Sequence, residues 1–483
     1  MMTSSHAFPS PVLVPVAACM PASPPNLFRL ALAALAVVTL GPAARVSAAA
    51  PDIILVMADD IGIEGLGCYG GRSYKTPNLD RLAAGGVRFT RAYSQPLCTP
   101  TRVELMTGLD NHRNWQSFGI LDPQTWTFGH AMSEAGYATG IFGKWQLQSY
   151  DPPDYPGGTH RRGTGMHPKD AGFDEYALFH ALDTEDKGSR YANPTMLEGK
   201  RGTDGELKTY PGRYGEDVWV EKILSFFDRR KDHPRFVYYP MALPHWPFQP
   251  TPDSEEWNPE EPSLTDLRFA GDMIEYMDKT MGSLMDGLRK RELERDTIVI
   301  FYSDNGTHLD VVSKLDDGRA VAGGKATPLQ TGIHVPLIVH CPTRFKPAVR
   351  DGIVEASDFF PTLLQMAKAK PQPEQTFDGV SFLPLLTGQA EATRDAAFFW
   401  YDPRPGWDKE RFSRHVFALN QTHKLFRNGG LYRINDPILS ETFVESETAG
   451  DTASRRQLRA VIDKAMAGVE EPPLVDSFGR KTK

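Results

Sequence analysis

The chain has 483 residues, of which 40% are apolar and 24% are charged, proportions that are ordinary for a folded globular protein. Its formal net charge of -8 argues against nucleic acid or an anionic membrane surface as a partner, because both attract basic proteins. An anionic substrate would therefore need a local basic pocket. The length predicts one or two domains around a large core.

The N-terminal region has the pattern of an export signal. An arginine precedes the apolar stretch at residues 30–40, and a run of small residues follows at 46–50. This order is typical of a cleaved secretory signal, and the apolar stretch is too short for a stable membrane anchor. We therefore predict that residues 1–50 are a signal region, starting from Met1 or Met20, and that the protein is exported to the periplasm or secreted.

Cysteine is sparse in this chain. Cys19 ends a segment that is similar to a lipid-attachment box, but no positive charge precedes it. After signal removal only Cys68, Cys98 and Cys341 remain, which is no disulfide framework. Cys68 and Cys341 could form a disulfide bridge, but two buried free thiols are the expected state. Cys98 then needs a separate explanation.

Apolar runs alternate with amphipathic stretches along most of the chain. Buried strands are predicted from runs rich in Val, Ile, Phe and Tyr, at residues 53–57, 138–142, 236–241, 297–302 and 337–340. Helices are predicted between them, at residues 78–85, 126–135, 217–229, 264–291 and 358–367. Strands that are apolar on both faces are typical of a covered parallel sheet, so the alternation predicts an α/β fold with a doubly wound, mostly parallel sheet.

The composition changes after residue 388. Short strands are predicted at residues 396–401, 416–419 and 423–426, followed by a closing helix at 454–467. This pattern predicts a smaller C-terminal α+β subdomain. The expected organisation is a signal region at 1–50, a catalytic domain at 51–390 and a C-terminal subdomain at 391–483.

Two predicted strands end in pairs of oxygen-bearing side chains. Asp59 and Asp60 follow the first strand, and Asp304 and Asn305 follow the strand at 297–302. Ligands of open α/β sheets bind at the carboxyl ends of the strands. If these strands are neighbours, their side chains form a hard oxygen site suited to Ca²⁺ or Mg²⁺. Either pair alone also fits a helix cap or a turn.

A third signal is the segment Cys98-Thr99-Pro100-Thr101-Arg102. Thr99 is a good helix N-cap and Pro100 is favoured at the first helical position, so we expect Cys98 just before a helix. Unpaired backbone N–H groups together with Arg102 would form an anion site there. The same pattern also fits a buried cysteine beside an ordinary helix.

This segment resembles the signature of the sulfatases in the alkaline-phosphatase-like superfamily, in which a Cys-x-Pro-Ser-Arg motif directs oxidation of the cysteine to formylglycine. Thr101 stands where serine is usual. Further segments of the chain resemble other blocks of the family and occur in the family's order. They lie at residues 54–60, 76–82, 143–145, 244–247, 303–306, 323–325 and 378–381. The resemblance covers nearly the whole mature chain and implies an alkaline-phosphatase-like fold and sulfate-ester hydrolysis.

The resemblance also implies a metal centre. One Ca²⁺ ion would be held by Asp59, Asp60, Asp304, Asn305 and the formylglycine made from Cys98. Such an ion lowers the pKa of a bound hydroxyl group and makes it a nucleophile toward sulfur. A formylglycine-generating maturation enzyme is therefore an expected partner.

The resemblance implies roles for four further residues. Arg102 would hold the modified residue at position 98, while Lys144, His245 and Lys325 would contact sulfate oxygens and neutralise their charge. His245 or Lys325 would protonate the leaving alcohol oxygen. His245 also fits a loop histidine packed between prolines, and Lys325 fits a solvated lysine in a glycine-rich loop.

One departure from the family pattern bears directly on catalysis. A histidine usually lies two residues after the lysine at 144, and here Gln146 occupies that place. Glutamine can form hydrogen bonds but cannot take up a proton. His308, close after the pair at 304–305, is our first candidate for the missing base.

Three functions fit the sequence. The favoured one is a sulfatase acting on a sulfated carbohydrate, with Trp145 and Trp246 either stacking on sugar rings or packing in the core. The alternatives are a phosphodiesterase or phosphonate hydrolase of the same superfamily, and a glycan-binding protein that keeps calcium but has lost turnover with the histidine at 146.

Overall fold

The computed structural model describes residues 50–184, 190–435, 439–476 and 478–481, and the predicted signal region lies almost entirely outside them. Strands up to residue 350 are β1 (Ile53–Ala58), β2 (Val87–Tyr93), β3 (Ala138–Lys144), β4 (Glu175–Phe179), β5 (Thr195–Lys200), β6 (Glu206–Thr209), β7 (Arg235–Pro240), β8 (Ile298–Ser303), β9 (Val312–Lys314), β10 (Ala320–Ala322), β11 (His334–His340) and β12 (Ala348–Arg350). Strands β9 and β10 form a separate ribbon.

The other ten of these strands form one central sheet in the order β12-β2-β11-β8-β1-β7-β3-β4-β5-β6. Its middle strands β8, β1, β7, β3 and β4 are parallel, so all five end at the same edge. The predicted α/β class with a mostly parallel sheet is confirmed. Five strands of this sheet were not predicted, namely β2, β4, β5, β6 and β12. Strand β2 carries two arginines among its apolar residues, β4 is short, and β5, β6 and β12 are mostly half-buried or exposed.

Helices cover both faces of this sheet. Their bounds are α1 (Pro77–Ala84), α2 (Cys98–Thr107), α3 (Phe128–Glu134), α4 (Gly215–Arg229), α5 (Phe269–Arg289), α6 (Gln330–Ile333), α7 (Phe359–Ala367), α8 (Leu383–Thr387) and α9 (Ala449–Ala465). Successive side chains of a strand point to opposite faces. Accordingly, Ile54 and Val56 of β1 pack with α1, α4 and α5, whereas Ile53 and Leu55 pack with α2, α3, α7 and α8. Across the described ranges, no helix combines the length and the apolar character that a bilayer span requires.

The C-terminal part contains a second, antiparallel sheet. Its strands are β13 (Ala397–Tyr401), β14 (His415–Leu419), β15 (His423–Phe426), β16 (Leu431–Ile434) and β17 (Glu441–Phe443), paired in sequence order. Leu458 and Ile462 of α9 are buried in the same cluster as Trp400 and Ala418 of this sheet. The smaller α+β subdomain is therefore confirmed, while its boundary at residue 390 stays a prediction.

Candidate active site

Four of the five predicted metal ligands, Asp59, Asp60, Asp304 and Asn305, meet at the carboxyl edge of the parallel strands. Strands β1 and β8 are direct neighbours, with Ala58 opposite Ser303, so the residues after each strand come together. The Asp60 amide donates to Asp304 Oδ1 at 3.2 Å, and Asn305 Nδ2 donates to Asp60 Oδ1 at 2.8 Å. Asp60 has a φ of 73°, a left-handed conformation that is uncommon without glycine and often marks a functional position.

Cations from three other parts of the chain neutralise these carboxylates. Lys144, at the end of β3, donates to Asp59 Oδ2 at 2.8 Å, and Lys325 donates to Asp60 Oδ2. Arg102 donates twice to Asp304 Oδ2, at 2.7 and 3.1 Å. Sequence reasoning assigned all three cations to the site, and the fold brings them together there.

The pKa values reflect this crowding of charge. Burial alone would raise the pKa of Asp59, but Lys144, Arg102 and Lys325 outweigh it and hold the pKa below its ordinary value. Burial and the negative charge of Asp59 raise the pKa of Asp304 to about 7. Further positive charge beside these three carboxylates would therefore stabilise their ionised forms.

The donor set fits a metal ion. Asp59 Oδ1 and Asn305 Oδ1 are buried and have no hydrogen-bond partner among the described residues, although buried polar atoms are almost always paired. Ligand atoms of Asp59, Asp60, Cys98 and His245 lie within 4.8 Å of one another. A cation at this place would satisfy the two orphaned oxygens.

Cys98 reaches the same site as the first residue of α2. The prediction that Thr99 caps this helix is wrong: Leu97 is the N-cap residue, and Thr99 Oγ1 accepts from the Gly119 amide at 3.2 Å. Thr101 Oγ1 donates to the Asp304 carbonyl at 2.5 Å and so ties α2 to the end of β8. Burial raises the pKa of the Cys98 thiol, which makes the unmodified thiol a poor nucleophile.

Comparison with known proteins shows the family of this chain. A family model described as Sulfatase matches residues 51–369, two thirds of the chain. This chain belongs to the sulfatase family. A second model, described as N-sulphoglucosamine sulphohydrolase, C-terminal, matches residues 325–430 of this sulfatase.

The sulfatase is similar to several characterised proteins. It is 31% identical to arylsulfatase A of Homo sapiens over 385 residues, covering 76% of this chain and 73% of that protein. It is 29% identical to N-acetylgalactosamine-6-O-sulfatase of Bacteroides thetaiotaomicron, covering 71% and 78%. The solved structure of Ps i-CgsB in complex with k-i-k-neocarrahexaose superposes with a TM-score of 0.67 at 22% identity, covering 87% and 94%. The fold is therefore alkaline-phosphatase-like, and the enzyme hydrolyses sulfuric esters.

His245 forms part of the wall of the sulfatase site. Its Nε2 lies 3.8 Å from Asp60 Oδ2, and Arg190 Nη2 lies 3.2 Å from its Nδ1. Burial, together with the charges of Lys325, Lys144 and Arg190, holds the pKa of His245 well below its usual range. The imidazole is therefore neutral at neutral pH until an anion binds beside it.

Cys98, His245 and Lys325 line a cavity of about 950 Å³. Its walls carry one acidic and five basic side chains, namely Asp408, Arg162, Arg190, Lys325, Lys409 and Arg411. Trp246 and Trp407 line it and are 55% and 43% exposed. Trp145, by contrast, is buried in the core and donates to the Met166 carbonyl, so the sugar-stacking alternative applies to Trp246 and not to Trp145.

Three residues at the cavity bear on the missing histidine. Gln146, His180 and His308 all line it. His308 is partly exposed, packs edge-on against Phe248 and has Asp310 3.7 Å from its Nδ1. Sequence reasoning missed His180, Arg190 and Lys409, because each belongs to a segment with no recognisable motif.

Proposed function

We propose that this protein is an exported sulfatase that hydrolyses sulfate esters of a sulfated carbohydrate, using a formylglycine made from Cys98 and one bound Ca²⁺ ion. The observation that carries the proposal is the convergence of Cys98, at the start of α2, with two orphaned carboxylate and amide oxygens and three cations. Hard oxygen ligands favour calcium over zinc. Export rests on the signal pattern of residues 1–50 alone.

The metal would be held by Asp59, Asp60, Asp304, Asn305 and the modified residue 98. When bound, the ion and the formylglycine would together supply an oxygen nucleophile for the sulfur atom. Arg102, fixed by its two bonds to Asp304, orients the side chain at position 98.

The remaining residues act on the substrate. Lys144 and Lys325 neutralise the sulfate oxygens, where charge accumulates in the transition state. Lys325 keeps its proton firmly, because the carboxylate of Asp60 outweighs the effect of burial and raises its pKa. His245 lies at the cavity wall, and its pKa rises when the sulfate anion arrives, so it can donate a proton to the leaving alcohol oxygen.

The shape and charge of the cavity support a carbohydrate substrate. Exposed Trp246 and Trp407 offer flat apolar faces of the kind on which sugar rings stack, and the excess of basic side chains attracts anions. The related N-acetylgalactosamine-6-O-sulfatase and the complex with k-i-k-neocarrahexaose point to the same class of substrate.

The test uses protein produced together with a formylglycine-generating enzyme. Intact mass of the peptide carrying residue 98 should show the thiol oxidised to an aldehyde, and a panel of sulfated saccharides should release inorganic sulfate. Cys98→Ala should remain folded and release none. Phosphate and phosphonate esters in the same panel measure the alternative function, and an unmodified, fully active Cys98 would contradict the proposal.

A further inference from the structure

Turnover requires a base that position 146 does not provide. After the alcohol has left, a proton must be removed at position 98 before sulfate can leave. Gln146 cannot accept a proton. Its Oε1 atom is buried and has no hydrogen-bond partner among the described residues. The cavity wall therefore carries an unpaired hydrogen-bond acceptor at this position.

His180 lies beside Gln146 across the sheet. Strands β3 and β4 are parallel, with Lys144 opposite Phe179, and the Gln146 amide donates to the His180 carbonyl at 2.9 Å. The two residues have φ values of 56° and 60°, so both adopt the left-handed conformation in which non-glycine residues are strained. Strain of this kind clusters at functional sites.

His180 also shares its surroundings with position 98. It lines the same cavity as Cys98, and its ring centroid lies 5.7 Å from that of Tyr150, another residue of this wall. Burial holds the pKa of His180 well below its usual range, and among the described residues the positive charges of Lys144, Arg190 and Arg102 add to this effect. Its imidazole is therefore in the proton-accepting form at neutral pH.

We propose that His180 is the base that releases sulfate, in place of the histidine that the family carries at the position of Gln146. The proton moves from the hydroxyl at position 98 to an imidazole nitrogen of His180. The O–H electron pair forms the carbonyl double bond while the carbon–oxygen bond to sulfate breaks, and sulfate leaves with that second pair. This inference rests on the proposed function, and His308 is its rival within the same cavity.

The experiment compares three matured variants: His180→Ala, His308→Ala and His340→Ala. His340 is the matched control, because it is also a largely buried histidine, but it lies opposite Val299 at the other end of β8. His180→Ala should release one equivalent of alcohol in a burst, retain sulfate on the peptide carrying residue 98, and lose about a hundred-fold or more in kcat. The control should show neither effect.

Further variants keep the test decisive if His180→Ala folds poorly. His180→Gln preserves hydrogen bonding without proton uptake and should retain sulfate in the same way. Adding Gln146→His to His180→Ala should restore part of the turnover and clear the retained sulfate, which repair of the fold alone would not do.

The outcomes separate the two proposals. Formylglycine present at position 98 but no retained sulfate in either His180 variant would overturn the role of His180, and retention in His308→Ala alone would assign the base to His308. Absence of formylglycine in the active wild-type enzyme would instead overturn the proposed function. The readout is intact mass of the residue 98 peptide, beside burst kinetics and a thermal melt of each variant.

Discussion

At the level of single residues, buried cations and buried carboxylates neutralise one another in the site. Lys144 and Lys325 each bond a carboxylate that we propose as a metal ligand. A divalent ion on Asp59 and Asp60 would take over that neutralisation and leave both ammonium groups for the sulfate oxygens. On the proposed function, the same two lysines would therefore have different partners in the metal-free and the metal-bound site.

The first prediction concerns these lysines. Lys144→Ala and Lys325→Ala should each cost about 3 kcal/mol in transition-state stabilisation, or roughly a hundred-fold in kcat/KM, because each removes a charge positioned for the transition state. Lys346→Ala is the control, since this lysine is exposed and remote from the cavity. Kinetics on one sulfated substrate measure the effect, and near-normal kcat/KM in both lysine variants would move the sulfate site elsewhere.

The second prediction concerns Lys409, which belongs to the segment between β13 and β14. Its Nζ lies 4.3 Å from the ring centre of Phe118 and 4.7 Å from that of Tyr150. Burial, with a contribution from the positive charges of Lys325 and Arg411, lowers the pKa of Lys409 to about 8. The negative charge of Asp408 opposes this shift. The amine is therefore charged below about pH 8 and neutral above it.

KM of the wild-type enzyme for an anionic saccharide should consequently rise as the pH passes about 8. Lys409→Met should raise KM about ten-fold at pH 7, the loss expected for one charged hydrogen bond, and should remove this rise with pH. Lys409→Arg, which stays charged throughout, separates loss of charge from loss of packing. A flat KM in the wild-type enzyme would exclude Lys409 from substrate binding.

At the level of strands and helices, parallel strands that end at one edge assemble the site. The proposed metal ligands follow β1 and β8, and His245 follows β7. Lys144 ends β3, and His180 follows β4. The crowding at this edge depends on Gly143, whose φ is 136° and whose missing Cβ would lie 1.9 Å from the Pro240 carbonyl oxygen. Only glycine permits β3 and β7 to approach so closely just before Lys144.

The third prediction follows from this close approach. Gly143→Ala should destabilise the fold by about 1–3 kcal/mol or more, as overpacking does, and should lower kcat/KM because Lys144 shifts with the strand. Gly136→Ala is the matched control: its φ is also positive, at 87°, but nothing lies near its added Cβ. Equal melting temperatures and equal activity for the two variants would contradict the steric explanation.

At the level of the entire protein, charge is segregated. The chain has a net charge of -8, yet five of the six charged residues that line the cavity are basic. The net negative charge therefore lies outside the cavity, while the cavity itself presents positive charge to an anionic substrate. The segment between β13 and β14 contributes Trp407, Lys409 and Arg411 to this cavity, so the C-terminal region shapes substrate binding as well as the fold.

The fourth prediction concerns calcium and global stability. Because the four oxygen ligands come together only in the folded chain, Ca²⁺ should stabilise it by about 2.7 kcal/mol at a hundred-fold excess over Kd. Chelation should lower the melting temperature and readdition should restore it. Asn305→Ala should lose most of this calcium response without leaving an unpaired buried charge, and an undiminished response in that variant would place the ion elsewhere.

Local patterns in the amino-acid sequence were sufficient to predict the class of fold, and with the resemblance to the sulfatase family they indicated the residues that meet at the candidate site. Residues 53–57 and 297–302 lie in strands that are buried on both faces of the sheet. Such strands are apolar at nearly every position, so the local sequence is enough to recognise them. The carboxylates that follow them, and the segment from Cys98 to Arg102, were indicated by their local sequence. Lys144 and Lys325 were indicated only by the resemblance to the sulfatase family. Export and the signal region remain predictions from the sequence alone, as does the start residue.

The set of side chains that share one cavity depends instead on the tertiary structure. His180 follows a short strand without a motif, and its place beside Gln146 depends on the pairing of β3 with β4. Helix α2 begins two residues earlier than its predicted cap residues indicate, because Thr99 bonds Gly119 and Thr101 bonds the Asp304 carbonyl. Lys409 is more than 300 residues from Cys98 along the chain. Contacts of this kind depend on long-range strand order and packing, which local propensity and spacing do not encode.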